Sequence, residues 1–134
     1  MRILLAVCLM ASLCAALRAE PLAEPERAVI VTLKWEESQI DVDKVDRKEI
    51  IIPVQRGFGQ LQPLFYELLS PDGDVYFCGG LVDPLSVPHS DKRLTTANVT
   101  LILPDLAEAK HLVIYRRISL DPKTGRLKLK EADL

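Results

Sequence analysis

The sequence is poor in the residue types on which several classes of function depend. Its 134 residues include three cysteines and two histidines, and only 5% of them are aromatic. So few aromatic rings argue against a platform that stacks nucleic-acid bases. The balance of 17 Lys and Arg against 19 Asp and Glu argues against a strongly basic nucleic-acid binder and against an acidic disordered tail. We therefore expect one ordinary domain and no nucleic acid among its partners.

A short apolar segment opens the chain. One arginine precedes an uncharged apolar run, Ile3–Leu17, which small residues follow. This layout is typical of a secretory signal peptide, and at about 1.5 Å per residue the run is shorter than the roughly 30 Å hydrocarbon core of a bilayer. We predict a signal peptide at residues 1–19, cleaved after Ala19 or Ala16, a secreted or periplasmic location and no transmembrane segment after cleavage. The alternative is an uncleaved anchor.

Cysteine usage excludes a disulfide framework within the processed chain. Cys8 and Cys14 lie in the predicted signal peptide, so that Cys78 is left alone. Removal of Arg2 and Arg18 leaves 15 basic residues against 19 acidic ones, a net charge of −4. A domain of this size buries about two-thirds of its unfolded surface and needs no disulfide to fold. The same cysteine count excludes zinc sites built on several thiolates.

Runs of β-branched and apolar residues separated by turns predict an all-β fold. Alternation over residues 28–35 places four apolar residues on one face of a strand: Val29, Val31, Leu33 and Trp35. Residues 64–78 predict a β-hairpin about the turn Pro71-Asp72-Gly73, and Gly79–Gly80 are expected to bend or bulge its second strand. Other strands are predicted at residues 50–52, 98–103, 111–119 and 126–130. Residues 104–110 are the one helical candidate.

These segments favour an antiparallel two-sheet sandwich of immunoglobulin-like architecture with about seven strands. A flexible leader is expected at residues 20–27, which hold two prolines and three glutamates, followed by a single domain at residues 28–134. Three loops are expected to carry any binding specificity, because loops on a rigid sandwich are free to vary. They span residues 36–48, 56–63 and 83–96.

The first of these loops contains the only calcium candidates. Asp41, Asp43 and Asp46 supply carboxylates at close spacing, which calcium requires. The loop has no glycine, and interleaved Lys and Arg residues weaken the field that a cation would feel. A solvated acidic loop is therefore the main interpretation, weak calcium binding is the alternative, and no cofactor is expected.

The last hairpin has a basic edge. Arg116, Arg117, Lys128 and Lys130 are its candidate binding residues, where an acidic partner could dock. A positively charged edge strand also prevents edge-to-edge aggregation, which is the simpler interpretation.

Catalytic residue sets are sparse. Cys78 in a predicted strand is expected to act as a small apolar filler, with intermolecular pairing or a reactive thiol as alternatives. His89 lies 11 residues downstream of it, and no spacing brings the two together. We therefore predict no catalytic residues and no enzymatic activity.

Two segments resemble a known domain. Residues 73–85 read Gly-Asp-Val-Tyr-Phe-Cys-Gly-Gly-Leu-Val-Asp-Pro-Leu, and residues 98–115 join a strand ending in Leu-Pro to a Leu-x-Ile-Tyr strand. This order resembles the secreted non-catalytic β-sandwich domain that precedes the protease domain in some bacterial IgA-peptidase-type metallopeptidases. The resemblance implies fold and export but no catalytic residue, since the H-E-x-x-H zinc motif is absent.

The sequence as a whole favours a secreted or envelope β-sandwich without enzymatic activity, which acts by binding a protein or a cell-envelope surface. One alternative is a peptidase inhibitor or regulator that acts through a loop. A second is an enzyme with a site based on Cys78.

Overall fold

A computed structural model of the protein describes residues 24–53, 62–121 and 123–134. In these ranges the chain forms seven β-strands and no helix. The strands are β1 (Glu26–Glu36), β2 (Ile40–Ile50), β3 (Leu64–Leu69), β4 (Val75–Leu81), β5 (Thr96–Pro104), β6 (His111–Arg117) and β7 (Arg126–Asp133). The described ranges contain no helix with the length and apolar character that crossing a bilayer requires. The predicted all-β class and strand number are confirmed.

The strands form two antiparallel sheets that pack together. One sheet has three strands in the order β2-β1-β5, and the other has four in the order β4-β3-β6-β7. Each neighbouring pair is antiparallel. The predicted antiparallel two-sheet sandwich is therefore confirmed, and its immunoglobulin-like character stays a prediction.

The core lies between the sheets. Strand side chains point alternately to the two faces, and β1 buries Val29, Val31, Leu33 and Trp35 on the face predicted from its sequence. They belong to one apolar cluster with residues of the other sheet, among them Leu68, Leu112 and Ile114. Each Å² of apolar surface removed from water contributes about 25 cal/mol to folding, so this cluster is the main source of stability.

The β3–β4 hairpin is confirmed, but its bulge lies elsewhere than expected. Gly73 has φ of +88°, a conformation that glycine adopts without steric cost. Leu68 pairs with Phe77 and Leu69 with Val75, so Tyr76 is the extra residue. The prediction of a bulge at Gly79–Gly80 is therefore wrong. Those glycines pair in regular register, and a Cβ on Gly80 would meet the side chain of Gln62.

Three predicted boundaries in the N-terminal half of the chain are also wrong. Residues 36–48, expected to be a loop, form most of β2, and the strand predicted at residues 50–52 ends at Ile50. Strand β1 begins at Glu26, inside the predicted leader at residues 20–27. The signal peptide predicted at residues 1–19 and loop residues 56–61 lie outside the described residues.

The connection between β5 and β6 replaces the predicted helix. Residues 105–110 contain no helical turn. The Asp105 N–H donates to the Arg27 carbonyl oxygen at 3.0 Å, and its carboxylate pairs with the Arg27 guanidinium at 3.0 Å. Ala109 is buried in the core cluster. These tertiary contacts hold the segment against the start of β1, and they outweigh a helix of at most two turns.

Candidate functional site

A groove opens at the end of the sandwich where β1, β4 and β6 finish and β3 begins. It encloses about 590 Å³. The Arg117 N–H donates to the Pro63 carbonyl oxygen at 2.8 Å, which fixes the segment before β3 against the end of β6. We call this cavity the arginine groove because three arginines line it: Arg93, Arg116 and Arg117.

Arg93 ties two walls of the arginine groove together. Its guanidinium lies 2.9 Å from an Asp83 carboxylate oxygen and 3.4 Å from one of Glu37. Burial raises the pKa of Asp83, but hydrogen bonds from the Arg93 side chain and the Leu85 N–H outweigh burial and hold that pKa below its ordinary value. The Asp83 carboxylate is therefore charged at neutral pH, and the Arg93 guanidinium is engaged by two carboxylate side chains.

Arg116 presents an unpaired guanidinium to the same cavity. It continues the core-facing side of β6 after Leu112 and Ile114, but β6 leaves the core here, and Arg116 is exposed at the mouth between the sheets. Among the described residues its guanidinium makes no hydrogen bond or ion pair. Its charge contributes to the lowered pKa of Asp83.

Arg117 is held in place on the other side of the strand. Its guanidinium carbon lies 5.2 Å from the centroid of the Phe65 ring, and Nη1 donates to the Ser119 carbonyl oxygen at 3.3 Å. Its Nε is buried without a hydrogen-bond partner in the described part of the chain. Stacking on the aromatic face stabilises this arrangement and fixes the guanidinium.

Exposed apolar side chains accompany the arginines. Val82 lines the groove and is 85% exposed, while Ile118 and Leu120 in the turn after β6 are 63% and 91% exposed. A large apolar side chain exposed beside charged ones on a surface, as Val82 is in the groove, is typical of protein contact sites. The arrangement therefore suits binding of a partner that offers both apolar and negatively charged groups.

The four predicted binding residues do not form one site. Arg116 and Arg117 line the arginine groove, whereas Lys128 and Lys130 lie along β7, the edge strand of the larger sheet. Lys128 pairs with Glu131 at 3.2 Å. The basic residues of β7 occupy an edge strand, as expected, and their role in preventing strand pairing stays a prediction.

The calcium candidates lie along a strand. Asp41 accepts hydrogen bonds from the Gln39 amide at 2.9 Å, and Asp46 pairs with Lys44 at 3.1 Å. Asp43 is the extra residue of a bulge in β2. At about 3.3 Å per residue, Asp41 and Asp46 are roughly 15 Å apart. The expectation of an acidic loop here is wrong, and the described residues contain no group of three or more His, Cys, Asp or Glu that could hold a metal ion.

The described structure does not bring Cys78 and the histidines together. Cys78 is half-buried in β4, opposite Glu67 of β3. Neither imidazole hydrogen bonds to its thiol, as far as the described residues show. His89 sits in a turn with φ of +57°, and His111 belongs to a separate cluster of carboxylates at the far end of β6. The predicted filler role for Cys78 stays a prediction.

His111 is placed between two carboxylates. Its Nδ1 lies 2.8 Å from Asp133 and its Nε2 3.1 Å from Glu131. Hydrogen bonds, first to Asp133 and then to Glu131, raise the pKa of His111 above its usual value. The folded protein therefore binds this proton more tightly than the unfolded chain does. Stability from this cluster is fully present below the unfolded pKa and is lost as the pH rises through the folded pKa.

We expect His111→Gln to lower the free energy of unfolding by less than about 1 kcal/mol, because the cluster is largely exposed. The loss should be present near about pH 5.5 and absent near about pH 9. Urea denaturation at the two pH values measures it. A loss from His111→Gln that is equal at both pH values, or larger at alkaline pH, would contradict the assigned proton linkage.

Sequence reasoning missed three residues of the groove. The sequence places Glu37 in the acidic segment of the calcium alternative and Asp83 in a predicted loop, and it does not single out Arg93. Arg93 lies 56 positions from Glu37 and 10 from Asp83. No local pattern marks such a triad. The one available signal was the presence of all three residues within segments expected to be specificity loops.

Comparisons with protein-family models, with curated proteins and with solved structures give no match to this chain. The resemblance to the accessory domain of IgA-peptidase-type metallopeptidases therefore stays a prediction from residues 73–85 and 98–115.

Proposed function

We propose that this protein is a secreted or envelope-located binding module without enzymatic activity, and that the arginine groove is its docking surface for a protein partner. One observation carries the proposal. An 85% exposed Val82 and an unpaired Arg116 line the same groove, whose walls are braced by the Arg93 ion pairs.

The bracing favours binding without large rearrangement. Arg93 joins the β1–β2 turn to the segment after β4 through Glu37 and Asp83. That segment is held further by an antiparallel backbone β-bridge between Ser86 and Arg93 and by the burial of Leu85. Walls that are already fixed lose little conformational freedom when a partner docks, which is favourable for affinity.

A site-specific photo-crosslink tests the proposal. A benzophenone amino acid replaces Val82 in the full chain, which is exposed to the secreted and envelope fractions of the source cells. We expect one defined adduct, because this side chain lines the groove. The adduct should be lost when Arg116→Glu is added.

Val75 provides the matched control. It is also an exposed valine, at 46%, but it begins β4 and lies at the opposite end of the sandwich. The same crosslinker there should give no such adduct. Identical adducts at both positions, or none at Val82, would contradict the proposal. A captured peptidase whose activity falls on binding would instead favour the inhibitor alternative.

A further inference from the structure

We infer that the arginine groove takes an acidic peptide segment, in which one carboxylate binds Arg116 and a neighbouring apolar side chain packs against Val82 and Pro63. This inference rests on the binding function proposed above and names the chemistry of the partner.

The charges of the groove are the first step. Three arginines and two carboxylates line it, which gives a net charge of +1. Glu37 and Asp83 both pair with Arg93, so their charges are already engaged. The remaining positive charge suits a ligand with one carboxylate more than it suits a polyanion.

The second step is which hydrogen-bond donors remain available. Arg93 is engaged by two carboxylates, and Arg117 is stacked on Phe65 and bonded to the Ser119 carbonyl oxygen. In the described part of the chain the Arg116 side chain makes no ion pair or hydrogen bond, so its planar fork of N–H groups is available. That fork matches a carboxylate in two parallel hydrogen bonds, which are stronger than those between neutral groups.

The walls next to the arginines supply the apolar half of the site. Pro63, Leu64, Leu81 and Val82 line the groove beside Arg116. A volume of about 590 Å³ lies within the range of cavities that bury a small ligand or a short segment of chain. An apolar side chain next to an Asp or Glu would thus be covered while its neighbour reaches Arg116.

An acidic peptide fits better than a membrane surface or a nucleic acid. Both of these are polyanions that attract broad basic patches. Here the groove carries a net charge of +1, and the whole chain has a net charge of −2. A concave site with one available guanidinium selects a single carboxylate.

A random heptapeptide library displayed on phage and panned over the full chain tests this inference. We expect the selected peptides to be enriched in Asp or Glu next to a Leu, Ile, Val or Phe. The selected consensus is then synthesised, together with its Asn or Gln counterpart, and titrated by fluorescence anisotropy. Loss of the carboxylate should weaken binding about tenfold or more, as expected of a charge-assisted pair.

Arg116→Gln should remove the preference for Asp and Glu. It should also lower the affinity for the acidic peptide to that for its amide counterpart. Lys48→Gln makes the same charge change on exposed β2 at the opposite end of the sandwich and should bind as wild type. Val82→Asp, at an 85% exposed position, places a carboxylate in the groove and should also lower the affinity for the acidic peptide. Thermal melts of the variants should match that of the wild type.

Several results would overturn the inference. The first is enrichment of neutral or basic peptides, and the second is a preference for acidic peptides that survives Arg116→Gln. The third is that no peptide is enriched while the protein binds phosphatidylglycerol vesicles and Arg116→Gln abolishes that binding. If photo-crosslinking at Val82 captures a partner in these cases, the binding function stands and only the ligand chemistry is wrong. If neither peptide nor crosslink is found, the proposed function itself fails.

Discussion

Replacing Leu33 with alanine is expected to lower the free energy of unfolding by about 3–4 kcal/mol. Leu33 is fully buried in the cluster that joins the two sheets. It lies on β1, the central strand of its sheet, between β2 and β5. Truncation removes buried methyl groups and leaves a cavity that strands held on both sides fill only in part. Urea denaturation followed by circular dichroism measures the loss.

Leu120→Ala is the matched control for this substitution. The same atoms are removed, but Leu120 is 91% exposed in the turn between β6 and β7. We expect its effect to stay within about 0.5 kcal/mol, as for most surface substitutions. Similar losses from the two variants would mean that Leu33 is not a core residue, and would contradict the packing of the two sheets.

The sequence predicts best those strands in which one face is apolar and the other is polar. In β1 every second residue from Val29 to Trp35 is apolar and buried. In β5, Leu101 and Leu103 are buried on the predicted face. The period of two in a half-buried strand is imposed by the backbone itself, so it can be predicted without tertiary information.

Strand β2 could not be recognised because a bulge interrupts its period. Ile40, Val42 and Val45 all face the core, but the extra residue Asp43 changes their spacing from two to three. As an edge strand, β2 also exposes many charged side chains to water. Seven charged residues in the strand predict a polar loop when no partner strand is known: Asp41, Asp43, Lys44, Asp46, Arg47, Lys48 and Glu49.

The candidate site was predictable only in part. Arg116 and Arg117 are adjacent, so a charge run reveals them. Their position at the mouth between the sheets depends on where β6 leaves the core. The Glu37–Arg93–Asp83 ion pairs depend on two loops meeting at one end of the sandwich. Contacts of this kind arise from packing over long sequence separations, which local patterns do not record.

A second cluster on the outer face of the larger sheet was not predicted. Phe65, Glu67, Val113 and Tyr115 are nearly fully buried there. The rings of Phe65 and Tyr115 stack with centroids 5.2 Å apart. Arg126 of β7 lies over the Tyr115 ring at 4.5 Å. Leu64 to Leu69 reads as an almost unbroken apolar run, which is typical of a strand buried on both faces, and Glu67 is its one charge.

Replacing Arg126 with methionine is accordingly expected to cost about 3 kcal/mol of stability. Its Nη1 lies 2.8 Å from a carboxylate oxygen of Glu67, whose side chain is 1% exposed. The variant keeps a side chain of similar length over Tyr115 but removes the opposite charge. A buried carboxylate that loses an ion-pair partner keeps the cost of its desolvation and forfeits part of the compensation. The measurement is again the free energy of unfolding in urea.

Lys44→Met is the control for this prediction, and Glu67→Gln completes a double-mutant cycle. The Lys44–Asp46 pair has a similar length, 3.1 Å, but its side chains are 66% and 39% exposed. Its loss should change stability by no more than about 0.5 kcal/mol. In the Glu67→Gln background, Arg126→Met should cost about 1–2 kcal/mol less than in the wild type. The reason is that mutations at the two residues of one ion pair have non-additive effects on stability. If Arg126→Met lowers the free energy of unfolding no more than Lys44→Met does, the prediction is wrong. The buried Glu67 carboxylate would then need its ion-pair partner no more than an exposed carboxylate does.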